Sequence, residues 1–211
     1  LENRPAENLS LLFSSEHERG LKMKTDRRSF VAAGSALVLS PLLLSQNVKA
    51  QADDPQNTVF LDTKDGRVTI RLRPDLAPKH VAQIKTLVSQ GFYDGIVFHR
   101  VIDGFMAQTG DPTGTGMGGS KLPNIPAEFN QAPFRRGTLG MARANDPNSA
   151  NSQFFICFAE AAFLNGNYTV FGEVVSGMEV VDKIKKGAAN ANGQVQNPDK
   201  IIKMQLASQA K

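Results

Sequence analysis

Arg100 has the most unusual surroundings of any polar residue in this chain. It lies in the segment Phe98–Asp111, FHRVIDGFMAQTGD, between apolar neighbours, five residues before Phe105-Met106 and eight before Gln108. An arginine so placed is a poor ingredient for a core. Its guanidinium is planar, stays protonated and presents several N–H donors in a fixed fork. With the Gln108 amide and the apolar side chains of Phe105 and Met106 close in sequence, the segment can line an apolar slot and direct a fixed donor at one polar atom of a bound molecule. Two further segments are equally dense: SQFFI, Ser152–Ile156, and FLNGNYTVFGEV, Phe163–Val174.

Other chemistries find little support. Of the three histidines, His17 lies near the N-terminus, His80 reads as the polar side of a helix, and His99 alone sits in a dense motif. No His-x-x-x-His or Cys-x-x-Cys pair exists, so no zinc site is expected. The single cysteine, Cys157, excludes an intramolecular disulfide, and within FFICF it reads as a small core hydrophobe. Asp111 and Asp146, beside Gly and Pro, read as turn residues. The run GDPTGTGMGG, Gly110–Gly119, lacks the Gly-Lys-Ser/Thr end of a phosphate loop and leads into no helical pattern. It reads as a flexible loop bordering a groove. Ser152 with His99 would be the only hydrolase pairing, and no Gly-x-Ser-x-Gly frames the serine. From Gln51 onward, 17 Lys and Arg face 15 Asp and Glu, a net +2 without a basic stripe. A nucleic-acid partner is not expected.

The elements that must position these residues are short. Val59–Asp62 and Arg67–Leu72 alternate apolar and polar residues around Lys64-Asp65-Gly66, a hairpin signal. Pro78 opens a helical pattern carried by Val81, Ile84, Leu87 and Val88 and closed by Gly91. A second covers about Met178 to Ile184. Short apolar runs lie between and after them: Val97–Val101, Phe105–Gln108, Thr138–Ala142, Phe154–Phe158, Thr169–Val175 and Ile201–Leu206. Many short strands with two helices point to a mainly β domain, an antiparallel barrel capped at its ends.

The N-terminal part reads as an address. Residues 1–22 precede Met23 and read as an upstream or unstructured extension. Residues 23–50 have a charged start with Arg27-Arg28, an uncharged stretch from Ser29 to Val48, and small residues at a cleavage spacing around Ala50, the layout of a signal peptide. DRRSFVA resembles a twin-arginine signal, with Asp26 and Val31 departing from it. The apolar heart is shorter than the ~20 residues a spanning helix needs, so a stable membrane anchor is not expected. The expected location is the periplasm, or the thylakoid lumen in a photosynthetic cell. Residues 51–57 read as a polar linker and 58–211 as one domain.

Taken together, F-H-R-x(4)-F-M-x-Q, SQFFI and FLNGNYTVFGEV resemble the cyclophilin family of peptidyl-prolyl cis-trans isomerases, from about Thr58 to Leu206. The resemblance implies a closed eight-stranded antiparallel barrel with a helix at each end. It implies acceleration of rotation about X-Pro bonds with no cofactor, on proline-containing polypeptides. Arg100 would be the catalytic donor. Phe105, Met106, Phe155 and Leu164 would line the proline slot, and Gln108 would bond the substrate backbone, with Ala142, Arg143, Ala144, Gln153, Phe163 and Tyr168 completing the substrate site. His99 would support the site or serve structure alone, not act as an acid or base. Four departures stand out. Phe163 replaces the Trp of many eukaryotic members, which implies weak cyclosporin binding. Tyr168 replaces a His, Arg143 an Asn, and the segment between Ala144 and Ser152 is one residue longer than the common eukaryotic form. Arg143 is expected to alter preference for the residue before proline. The competing reading is a non-catalytic module holding proline-containing segments; retention of Arg100 with Phe105, Met106 and Gln108 favours the enzyme. A monomer is expected.

Overall fold

The structure, a computed structural model, describes residues 54–210. The extension 1–22, the leader expected over 23–50 and residues 51–53 lie outside the described residues. Residues 54–57 form a turn fastened to the domain. The Asp54 carboxylate accepts from the Gln56 N–H at 2.9 Å and the Asn57 amide at 2.6 Å. The Asn57 carbonyl in turn accepts from the Leu72 N–H at 2.7 Å.

Among the described residues the strands are β1 (Thr58–Thr63), β2 (Gly66–Leu72), β3 (Arg100–Ile102), β4 (Met106–Thr109), β5 (Thr138–Met141), β6 (Phe154–Cys157), β7 (Val170–Ser176) and β8 (Lys203–Leu206). They form one antiparallel sheet in the order β3-β4-β6-β5-β7-β2-β1-β8. The expected hairpin is β1–β2, with Thr63 opposite Gly66. The mainly β architecture with two α-helices stands, but the closed barrel does not. The sheet is an open, strongly curled half-barrel. Its end strands β3 and β8 share no ladder. Between them run an isolated bridge, Val97 to Lys200, and single bonds such as Phe98 N–H to Asp199 O at 2.9 Å. The cause is local. Pro198 has no N–H to donate, and Asn197 takes φ 50°, so the segment that would close the barrel cannot keep a strand's alternation.

Helix α1 (Pro78–Ser89) begins with proline at its first turn and has no side-chain cap of its own. Glu128, from a distant loop, supplies the cap: its carboxylate accepts from the backbone N–H groups of Lys79 and His80 at 3.0–3.1 Å, satisfying donors that a helix start leaves orphaned. It also meets His80 Nδ1 at 2.6 Å. His80 is fully buried, which corrects its expected place on the polar side. It precedes Ile84 by four residues and so falls on the same stripe as Ile84, Leu87 and Val88. Helix α2 (Met178–Val181) is shorter than the pattern to Ile184. Beyond it the N–H groups of Lys183 and Ile184 bond three residues back, to Val180 and Val181, a tightening common at helix ends.

Candidate active site

Strand register assembles the site. Arg100 on β3 stands opposite Gln108 on β4, Gln108 opposite Phe155 on β6, and Phe155 opposite Gly140 on β5. The two-residue period of strands separates the faces. Ala107, Leu139, Phe154 and Ile156 belong to the main core beneath α1, whereas Met106, Phe155 and Cys157 join Phe134, Ala161, Leu164 and Val170 in a second cluster on the other face. That second cluster is the floor of the site. Gly140 is required there: a Cβ would lie 2.4 Å from Phe155 Cζ and 2.5 Å from Phe134 Cε1. Its bare backbone lets Phe155 lie across β5, stacked on Phe134 with ring centroids 5.7 Å apart.

The resulting cleft has a volume of about 260 Å³. Phe105, Met106, Phe155, Phe163, Leu164 and Tyr168 give it apolar walls; Arg100, Gln108, Ala142 and Arg143 complete it. Met106, Phe155 and Leu164 are buried, while Phe163 is 69% exposed at the rim, its ring 5.3 Å from Phe105. Tyr168 meets Phe155 edge-on at 5.9 Å. A second cavity of about 520 Å³ adjoins the first, sharing Gln108, Ala142 and Arg143. It contains Ala144 and Gln153 and has the glycine loop, with Met117 at its tip, along one side. Of the expected site residues, His99 alone lines neither cavity. It is buried beside Gly116. Burial lowers its pKa, and the Arg100 charge adds to this while the Asp111 carboxylate opposes it.

Polar atoms in the cleft form a chain with a fixed sense. Arg100 Nη1 donates to Gln108 Oε1 at 3.2 Å, and Gln108 Nε2 donates to Gln153 Oε1 at 2.9 Å. Gln153 Nε2 donates to the carbonyls of Gly116 and Gly118 at 3.0 and 2.8 Å. Those carbonyls only accept, so every amide upstream is oriented with its oxygen towards Arg100. Burial draws the Arg100 pKa down from its usual value, yet from so high a start the group stays protonated at neutral pH. Arg143 donates to the carbonyls of Ala144, Asn145 and Asn167 at 2.9, 3.3 and 3.0 Å. Its guanidinium lies 4.7 Å over the Tyr168 ring.

Three contributors escaped the sequence reading. Asn192 accepts two hydrogen bonds from Arg100, with no signal in a run of Ala, Asn and Gly to announce it. Phe134 backs Phe155 from a loop remote in sequence. Asp111, expected as a turn residue, organises the whole glycine loop. Its carboxylate accepts from the N–H of Thr113 at 2.8 Å and of Gly116 at 2.6 Å, and from the Thr113 hydroxyl. Burial alone would push this carboxyl up; the bonds from Thr113, Gly118 and Gly116 outweigh it and hold the pKa at about 2. Cys157 fits its core reading, since burial pushes its thiol up to about 12, far from a nucleophile's range.

The cleft thus combines an apolar floor with a protonated fork on its wall, carried on a curled sheet. The chain matches the family described as cyclophilin type peptidyl-prolyl cis-trans isomerase/CLD over residues 58–206. It is 56% identical over 195 residues to a probable peptidyl-prolyl cis-trans isomerase of Brucella suis, covering 87% of this chain and 98% of that one. It is 40% identical over 151 residues to a peptidyl-prolyl cis-trans isomerase of Schizosaccharomyces pombe, covering 69% and 96%. Among solved structures it is similar to a Hirschia baltica cyclophilin, with TM-score 0.67 and 30% identity over 75% of this chain and 76% of that one. A Cryptosporidium parvum cyclophilin-type isomerase, solved in the presence of the dipeptide Ala-Pro, gives TM-score 0.66 and 31% identity over 71% and 98%. The chain belongs to the cyclophilin-type peptidyl-prolyl cis-trans isomerases, and its reaction is the interconversion of cis and trans peptidyl-prolyl bonds.

Proposed function

We propose that Arg100 is the catalytic group of this isomerase and acts as an electrostatic donor to the twisted prolyl amide. An X-Pro bond prefers trans only slightly, but its rotation crosses a barrier of ~18–20 kcal/mol set by amide resonance. At the twisted transition state that resonance is lost and the prolyl nitrogen regains a lone pair. A donor aimed at this atom binds the twisted state more tightly than either planar state, which is the condition for acceleration. No covalent step or proton relay is needed. Phe105, Met106, Phe155 and Leu164 hold the proline ring, Tyr168 and Phe163 close its sides, and Gln108 bonds the substrate backbone. Ala142 and Ala144 leave room for neighbouring substrate side chains. The observation that carries the reading is the placement of Arg100, fixed by hydrogen bonds on the wall of a cleft whose floor is apolar.

The substrates are flexible or unfolded proline-containing chains, because the bond must enter a cleft and rotate there. The leader pattern supports export and folding assistance in the periplasm or an equivalent compartment. The low net charge of the domain supports a monomer, and Phe163 supports weak cyclosporin binding. The test is cis/trans exchange in an Ala-Pro-Phe peptide followed by NMR exchange spectroscopy. Arg100→Ala is expected to lower turnover by about 10²-fold or more, the effect of losing a key electrostatic donor. A folded Arg100→Ala protein with near-normal turnover would refute the role of Arg100. Peptide binding without acceleration by the wild type would leave a binding module.

A further inference from the structure

Arg100 is gripped from outside the cleft by a single residue. Its Nε–H donates to the main-chain carbonyl of Asn192 at 3.0 Å, and its Nη2 donates to the Asn192 side-chain oxygen at 2.9 Å. One residue thus occupies the whole Nε–Nη2 edge with both of its acceptors. Gln108 takes one hydrogen of Nη1. A guanidinium has five N–H donors, so one hydrogen remains on each Nη. The remaining pair is the part of the fork left for a substrate.

The chain is built to hold Asn192 in this place. The residue adopts a left-handed conformation, φ 51° and ψ 35°, which asparagine tolerates better than most residues. The following Gly193 also has positive φ, and a Cβ there would lie 2.5 Å from Ile102 Cγ1. That bare backbone lets the turn lie directly against β3. The Gly193 carbonyl accepts from the Val101 N–H at 2.7 Å, the Val195 N–H donates to the His99 carbonyl at 3.1 Å, and the Gly187 N–H donates to the Val101 carbonyl at 2.9 Å. The turn is therefore registered on the strand that carries Arg100, on both sides of that residue.

We propose that Asn192 is the positioning residue of Arg100. It fixes the azimuth of the guanidinium so that its two remaining N–H groups face the slot. Without it, Arg100 keeps its charge but regains much of the rotamer freedom of a long side chain. Donors that must reorganise during the reaction stabilise a transition state less than donors already aimed. This inference rests on the reading of Arg100 as the catalytic donor.

The test uses the full chain with Asn192→Gly, which retains the left-handed backbone and its carbonyl and removes only the side-chain acceptor. The expected result is a kcat lower by roughly tenfold, the scale of one lost hydrogen bond to a charged group. Peptide affinity and melting temperature should stay near wild type. The ¹⁵N-resolved Arg100 Nη2 signals should lose their order, because the acceptor removed is that of Nη2, while Nε–H keeps its main-chain acceptor. In an Arg100→Ala background the same change should have no further effect on turnover, whereas a merely structural role would add to the loss. Asn192→Asp serves as a second variant: it keeps the side-chain acceptor of Nη2 but pairs the guanidinium with a carboxylate, so the Nη2 signals should stay ordered while kcat falls. Wild-type kcat in Asn192→Gly, with Arg100→Ala inactive, would overturn the inference alone. Near-normal turnover in Arg100→Ala would remove the catalytic reading beneath it.

Discussion

Gln153 reaches Arg100 through one intermediary: its Oε1 accepts from Gln108 Nε2 at 2.9 Å, and Gln108 Oε1 accepts from Arg100 Nη1 at 3.2 Å. The other end of Gln153 is anchored on the carbonyls of Gly116 and Gly118, within the loop that Asp111 holds together. The glycine loop and Arg100 thus belong to one directional hydrogen-bond chain. Gln153→Glu tests it. The new carboxylate would face two carbonyl oxygens with no proton to offer, so the loop must move or the side chain must swing away. Turnover is expected to fall by about tenfold, the scale of a lost partner in a part-buried network. The melting temperature should fall with it. An unchanged rate in the peptide exchange assay would show that the chain beyond Gln108 does not matter to catalysis.

A substitution at Phe163 should change cyclosporin affinity without touching the slot floor. Its ring is largely exposed and touches Phe105 from the rim, so an indole has room and adds one N–H donor. Phe163→Trp is expected to raise cyclosporin affinity by about tenfold, the effect of one added hydrogen bond with extra apolar contact. Peptide turnover should change little by comparison. A titration showing no gain would place control of cyclosporin binding at another position.

The residues of the candidate site were named through the family resemblance, and all but His99 line the two adjoining cavities; strand alternation accounts for their shared face. Met106 and Gln108 share a face two residues apart, and Phe155 faces outward while Phe154 and Ile156 face inward. What could not be read was whatever depends on distant pairing. Asn192 reaches Arg100 across 92 residues, in a left-handed turn that no apolar pattern marks. Glu128 caps α1 from 48 and 49 residues away. Barrel closure failed for a reason present in the sequence, Asn197-Pro198, but its meaning depends on which segment faces β3. His80 was misplaced although its spacing to Ile84 pointed inward, because a polar side chain at an apolar position needs a partner that only the fold reveals.

Stability should decline as pH falls from 7 to 5. His80 and His99 are both buried, and burial lowers the pKa of each; Glu128 opposes this at His80 and Asp111 at His99. A lowered folded-state pKa means that the unfolded chain binds protons first. The stability these groups contribute is complete above the unfolded value, about 6.5, and is lost as pH falls through and below it, at up to about 1.4 kcal/mol per pH unit for each histidine. His80→Asn retains an N–H for Glu128 but cannot titrate. It is expected to reduce the slope of stability against pH by roughly half, since one of two such groups remains. A slope identical to wild type in denaturant titrations at pH 5, 6 and 7 would show that His80 is not linked to acid sensitivity.

Arg143 should select the charge of the residue before proline. Among the residues lining the two adjoining cavities there are two guanidiniums, Arg100 and Arg143, and no carboxylate. Arg143 is held by three carbonyls and an aromatic face, all neutral, so its charge is not cancelled locally. A concave site with low-dielectric walls concentrates such a field. Peptides with Glu before Pro are therefore expected to bind better than those with Lys by about fivefold, the scale of a part-exposed charge interaction of ~1 kcal/mol. The ratio should shrink as salt rises, because screening acts on exposed charges. Arg143→Asn should bring the ratio towards unity while a neutral Ala-Pro peptide changes less. Equal affinity for the Glu and Lys peptides at low salt, or a preference that survives Arg143→Asn, would assign substrate choice to shape alone.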